Sequence, residues 1–150
     1  MPDAVRVVLI EADDADTVLI KTSLRSSATR YQILHRASLE LAARLLRSDT
    51  SADVIICDIN LPDADAAKTF QRLKRIAANL PVIFLASAQE EHLAQLALQK
   101  GAEDYLVKGK FDAETLTRSI RYAIERKSYQ RQVHSAQSKT RSLRLRTQML

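Results

Sequence analysis

The chain has 150 residues, the size of one domain, with 46% apolar and 27% charged residues and no tryptophan. That is enough for a largely aliphatic core, and a single cysteine, Cys57, excludes an intrachain disulfide and fits a reducing compartment. The net charge of +5 is uneven: from Arg126 onward there are seven Lys/Arg and no Asp/Glu, so residues 1–125 hold 16 basic and 18 acidic residues, a net of −2.

The isoelectric point of 9.6 therefore belongs to the tail and does not indicate a nucleic-acid-binding globule. The start, Met1-Pro2-Asp3-Ala4, lacks the basic and apolar segments of a signal peptide. No apolar stretch approaches the roughly 18 residues of a membrane span. The expectation is a soluble, cytoplasmic protein. With two glycines and three prolines, its elements should be long and its loops short.

In chain order, Val5 to Ile10 is almost continuously aliphatic and predicts a buried strand. The acidic loop Glu11 to Asp14 follows. A helix is predicted from about Asp16 to Ser26, with Val18, Leu19 and Thr22 on its inner face and Asp14 or Asp16 as its cap. Tyr31 to His35 reads as a second strand. Ser38 is placed to cap a helix whose inner side is Leu39, Ala42, Ala43 and Leu46. Asp53 to Cys57 is the third strand. Ala64 to Ala78 is helical, with Phe70, Leu73 and Ile76-Ala77 facing inward. Pro81 restarts the chain into Val82 to Leu85. A helix over Glu90 to Lys100 should stop at Gly101 in a left-handed cap. Tyr105 to Val107 is the fifth strand, and a long helical pattern begins near Asp112. Aliphatic strands alternating with helices five times predict a parallel sheet covered on both faces.

In such sheets ligands bind outside the carboxyl ends of the strands. Asp58 ends the apolar run Val54-Ile55-Ile56-Cys57 and precedes Ile59-Asn60-Leu61-Pro62-Asp63, so a buried strand delivers a carboxylate to its tip. The other runs end at Glu11-Ala12, Ala86-Ser87 and Lys108. Two acids, a hydroxyl and a lysine at one edge point to phosphate and divalent-metal chemistry. His35, His92 and His134 have no metal-ligand spacing, and no glycine-rich phosphate loop is present.

The stretches from Asp53 to Asp65 and from Gly101 to Gly109, in that order and separation, resemble the receiver domain of bacterial two-component response regulators. The resemblance spans about Val5 to Glu125. It implies an α/β fold, a five-stranded parallel doubly wound sheet in the flavodoxin-like order 2-1-3-4-5, here with an extended C-terminal helix. It also implies a signalling module and not an enzyme. Asp58 is then the phosphoacceptor, charged by a histidine kinase or phosphotransfer protein. Lys108 is the phosphoryl contact and Tyr105 the aromatic switch. The implied cofactor is Mg, held by Glu11, Asp58 and the Asn60 carbonyl, with Asp13 the loop acid that could add to them. Output is expected through the face of the fourth helix, fifth strand and fifth helix.

The sequence departs from that family at three places. Ala12 stands where the second acid of the strand-1 pair is usual. Ala86 replaces a Thr or Ser, and Ser87, one residue late, is the candidate hydroxyl substitute. Gly109 replaces the proline that normally follows the lysine. An alternative function follows from the two alanines: a pseudo-receiver that binds a protein partner or dimerises without phosphate. Magnesium affinity separates the two.

Residues 126–150 are expected to form a basic helical extension or a linker to an output domain. Tyr129, Val133, Ala136, Thr140, Leu143, Thr147 and Leu150 fall at alternating spacings of four and three, a heptad register. A dimer through this helix, or through the output face, and a solvated basic helix both fit. Direct nucleic-acid binding is not expected, because the basic residues lack interleaved aromatics.

Overall fold

The computed structural model describes residues 4–48 and 51–149, and their side chains except at 134, 135 and 138–149. Its strands are β1 (Val5–Ile10), β2 (Tyr31–Arg36), β3 (Val54–Asp58), β4 (Val82–Ala86) and β5 (Asp104–Val107). Its helices are α1 (Asp14–Arg25), α2 (Leu39–Ser48), α3 (Ala66–Ile76), α4 (Glu91–Gln99) and α5 (Ala113–Met149), with a 3-10 turn, Ala88–Glu90, leading into α4. All neighbouring strands pair in parallel, in the order β2-β1-β3-β4-β5. The expected fold class is the one observed.

Alternation along the central strands divides the core into two layers. Val8, Ile10, Ile55, Cys57 and Phe84 meet α2, α3 and α4 through Leu39, Ala42, Phe70, Leu73 and Ala94. Val7, Leu9, Val54, Ile56 and Leu85 meet α1 and α5 through Ile20, Leu24, Leu116, Ile120 and Ala123. With aliphatic side chains on both faces, these strands read in the sequence as continuous apolar runs.

Most helix faces fall as expected: Leu39, Ala42, Ala43 and Leu46 are buried on α2. Ser38 accepts the Leu41 N–H at 3.2 Å, as a cap should. On α3, Phe70 and Leu73 are buried, whereas Ile76 and Ala77 are half-buried. Gly101 takes a φ of 115°, the left-handed stop expected after α4.

The first helix differs from expectation. It begins at Asp14 and is capped by Asp13, whose Oδ2 accepts the Asp16 N–H at 2.8 Å; neither Asp14 nor Asp16 is the cap. Its buried residues are Thr17, Ile20 and Leu24, while Val18 and Leu19 are 61% and 47% exposed and Thr22 is also exposed. A helix turns 100° per residue, so a face chosen one residue off points its apolar side chains at solvent.

The last helix runs unbroken from the domain into the basic extension. Arg126 donates to the Glu103 carbonyl at 2.7 Å, and Lys127 lies 3.9 Å from the Glu103 carboxylate. Tyr129 is 67% exposed. Of the heptad positions, the side chains of Thr140, Leu143 and Thr147 and all of Leu150 lie outside the described residues. No helix among the described residues is long and apolar enough to cross a membrane.

Candidate functional site

Because the strands are parallel, β1, β3 and β5 deliver the residues that follow them to one edge of the sheet. Glu11 follows β1, Asp58 ends β3 and Lys108 follows β5. The Lys108 N–H donates to the Ala86 carbonyl at 2.8 Å, which extends the β4–β5 pairing by one residue and fixes where the lysine leaves the sheet. The turn continues through Gly109, whose φ of 79° suits glycine at the third position of a tight turn.

The Lys108 ammonium is the hub of the site. It donates to Asp58 Oδ2 at 2.9 Å, lies 3.0 Å from Asp16 Oδ2 and is 3.6 Å from Glu11 Oε1. Burial opposes its charge, but hydrogen bonds to Asp58 and Asp16 outweigh that and hold its pKa above the ordinary lysine value. The other oxygen of Asp58, Oδ1, accepts the Asn60 N–H at 3.0 Å. Asp58 is buried, 6% exposed.

Glu11 is fully buried, and burial, together with Asp58 beside it, pushes its pKa up to about 8. Its Oε1 accepts the Asp13 N–H at 3.3 Å, while Oε2 has no hydrogen-bond partner. Glu11, Asp13 and Asp16 each bring a carboxylate oxygen to within 4.8 Å of the others. His35 on β2 supports this corner from behind: its Nε2 lies 2.8 Å from the Glu11 carbonyl and 3.4 Å from the Thr17 hydroxyl.

Sequence reasoning named Glu11, Asp13, Asp58, Asn60 and Lys108, and these gather at one edge. It missed Asp16, which it took for a helix cap. The signal was present: a helix capped at Asp13 turns its third residue back over the strand end. Ser87 is drawn into a different role. Its N–H donates to Glu90 Oε1 at 3.0 Å and its carbonyl accepts the Glu90 N–H at 3.0 Å, so it starts the 3-10 turn as a capping-box residue. Ala86 is fully buried in the layer under α2 to α4. Tyr105 is half-buried against that same layer, and its hydroxyl donates to Glu91 Oε1 on α4 at 2.9 Å. Asp63, next along the loop after β3, accepts the Leu39 and Glu40 N–H groups at 3.0 Å each and so ties that loop to the start of α2.

The response regulator receiver domain family matches residues 7–121. The chain belongs to that family. This receiver is 36% identical over 104 residues to the transcriptional regulatory protein AfsQ1 of Streptomyces coelicolor, covering 68% of the chain and 44% of that protein. It is 34% identical over 125 residues to the KDP operon transcriptional regulatory protein KdpE of Escherichia coli, covering 81% of the chain and 52% of that protein. A receiver domain of Clostridium thermocellum matches with a TM-score of 0.72 at 26% identity, over 83% of this chain and 98% of that one. The receiver thus spans about half, or less, of the length of these curated relatives. Membership makes it a signalling module of two-component type.

Proposed function

We propose that the receiver accepts a phosphoryl group on Asp58 from a partner histidine kinase or phosphotransfer protein, with magnesium, and signals through the α4–β5–α5 face. The observation that carries this reading is the Lys108 ammonium held between Asp58 and Asp16, at 2.9 and 3.0 Å. It supports a site in which a helix-borne acid makes good the carboxylate missing at Ala12.

The transfer is a displacement at phosphorus. An Asp58 oxygen bonds to the phosphorus as the bond to the donor imidazole nitrogen breaks, and that nitrogen keeps the electron pair. Lys108, already aimed at Asp58, pairs with the incoming phosphoryl oxygens. The donor set suits magnesium, which takes carboxylate and carbonyl oxygens. An unpartnered, fully buried Glu11 oxygen beside three more acids favours the same ion. Glu11, Asp13, Asp16 and Asp58, with the Asn60 carbonyl, would hold it. Bound there, magnesium offsets the repulsion between a carboxylate and an anionic phosphoryl group. Tyr105, hydrogen-bonded to Glu91, is the residue through which a change at Lys108 reaches α4. Ser87 is the residue that would supply a hydroxyl to the phosphoryl group in this reading. Residues 1–125 form the receiver in this reading, and 126–150 an extension toward an output or a second copy.

A second reading is favoured by Ala12, by the buried Ala86, and by a lysine whose charge is already matched without phosphate. In it the receiver binds a protein partner constitutively. Amide NMR with magnesium and then beryllofluoride, on wild type and Asp58→Asn, decides between them. Shifts around Asp58, Ser87 and Lys108 that vanish in Asp58→Asn are the expected result. An unchanged spectrum leaves the phosphate-independent module.

A further inference from the structure

At the end of the sheet opposite Asp58, around the start of β2, two adjoining cavities of about 370 and 380 Å3 share Ser27, Thr29 and Tyr31. One opens toward the end of α1, where Lys21, Arg25 and Arg30 stand over Leu24 and Ile33. The other opens toward α5, where Arg121 lies beside Ile120 and Ile124. Both volumes fall within the range of small-molecule sites.

The charges there are unmatched. Among the described residues, Lys21, Arg25 and Arg30 make no ion pair with an acid. Arg25 has a local role, since it ends α1 and faces the negative pole of that helix. Lys21 and Arg30 have no such account. Arg121 lies over the Tyr122 ring, 5.3 Å from its centre, and Glu125 is the acid at the α5 rim. Like charges gathered around one hollow repel each other and favour an anion that would sit among them.

Donors of another kind line the floor. The Ser27 oxygen accepts the Thr29 N–H at 3.1 Å, and the Ser27 and Thr29 hydroxyls gather at the Tyr31 phenol, so three hydroxyls meet at one point of the floor. Burial raises the pKa of Tyr31, so its phenol keeps its proton and donates. Cations on two walls, hydroxyl donors between them and an apolar floor of Leu24, Ile33 and the Tyr31 ring match a ligand with one highly charged and one flat apolar end.

We propose that this groove binds a phosphorylated small organic molecule of nucleotide size. The phosphoryl oxygens meet Lys21, Arg30 and the hydroxyls, and the apolar end lies against Tyr31. An extended polyanion is the poorer fit, because its repeating backbone leaves the apolar floor unused. A ligand here would bridge the end of α1 to α5, the helix that carries the basic extension. The inference is independent of phosphoryl transfer at Asp58.

The test is residue-resolved NMR of the full chain in EDTA, titrated separately with ATP, inorganic pyrophosphate and adenosine. EDTA keeps magnesium out of the acidic edge. ATP is expected to give saturable shifts at Ser27, Thr29, Tyr31 and Ile33, with adenosine at least about tenfold weaker and pyrophosphate between them, a tenfold step being the loss of one good charged contact. Lys21→Glu with Arg30→Glu should weaken ATP by about tenfold or more while Asp58→Asn leaves it unchanged. Adenosine binding as well as ATP, shifts confined to the tail beyond Arg126 or to Lys108, or an unaltered titration in the folded double variant would each overturn the proposal.

Discussion

Asp16 and Glu11 sit on the same acidic edge but in opposite conditions. Asp16 is half-buried and paired with Lys108, whereas Glu11 is fully buried with one oxygen unpartnered. A buried carboxyl whose pKa is raised to about 8 must take up a proton on folding at neutral pH, which costs the fold stability, and the cost disappears when it is made a neutral amide. Glu11→Gln should therefore raise the urea midpoint of the metal-free protein, by an amount on the order of 1 kcal/mol or more, and remove most of the stabilisation that magnesium gives. Equal midpoints in EDTA would show that the buried carboxyl carries no such cost. Asp16→Asn should weaken magnesium by about tenfold, since one anionic ligand is lost, while Asp14→Asn, exposed and outside the cluster, should not. Calorimetric titration of the two variants reads this directly. At this scale the sequence showed the residue types at the strand ends, because each strand end is adjacent to its own acid or lysine. It hid Asp16, because a residue one helical turn away returns to the site only if the helix starts at one particular position. In the proposed function Asp16, standing over the same edge, takes the place of the acid missing at Ala12.

Among the elements, the strands were legible almost to the residue because burial on both faces leaves little but Val, Ile, Leu and Phe in them. α1 was not, since Val18 and Leu19 are apolar yet face solvent and no pattern in one sequence marks them as such. The loops that position the site were legible only in part. Asp63 reads as a turn residue, but it caps a helix that precedes it in the chain by more than twenty residues. Burial works against its charge, yet the Glu40 and Leu39 N–H groups hold its pKa below the usual aspartate value. A depressed carboxyl stabilises the fold above its unfolded pKa and stops doing so as pH falls through the folded one. Asp63→Ala should cost about 1 kcal/mol at neutral pH, as loss of a cap does. The difference from wild type should shrink as the pH is lowered below 3.8, the ordinary aspartate value. Urea unfolding at several pH values measures both. Tyr105→Phe removes a single hydroxyl bond to Glu91 and should cost about 1 kcal/mol, with faster amide exchange at the start of α4 as its local signature.

For the molecule as a whole, strand order came from the family resemblance and not from periodicity, which gives each strand but not its neighbours. The extension is the part where sequence was least informative, because a weak heptad and a solvated basic helix share one pattern. What the structure adds is an anchor for α5 at the edge of the body. Glu103, 7% exposed, anchors Arg126 and Lys127, and Tyr129 two residues on is mostly exposed. Helices of that composition gain little stability without packing, so their protection should decline once contacts to the body end. Truncation after Lys127 is therefore expected to leave the unfolding free energy of the body within about 0.5 kcal/mol, as for changes remote from packed features. Glu103→Gln should instead lower it and speed amide exchange in α5 from about Arg126, because the buried acid is lost and its two cations are left without a counter-charge, while the Arg126 bond to the residue-103 carbonyl remains. If truncation destabilised the body by several kcal/mol, the extension would be folded back on the domain or paired with a second copy, and the dependence of the midpoint on protein concentration would say which.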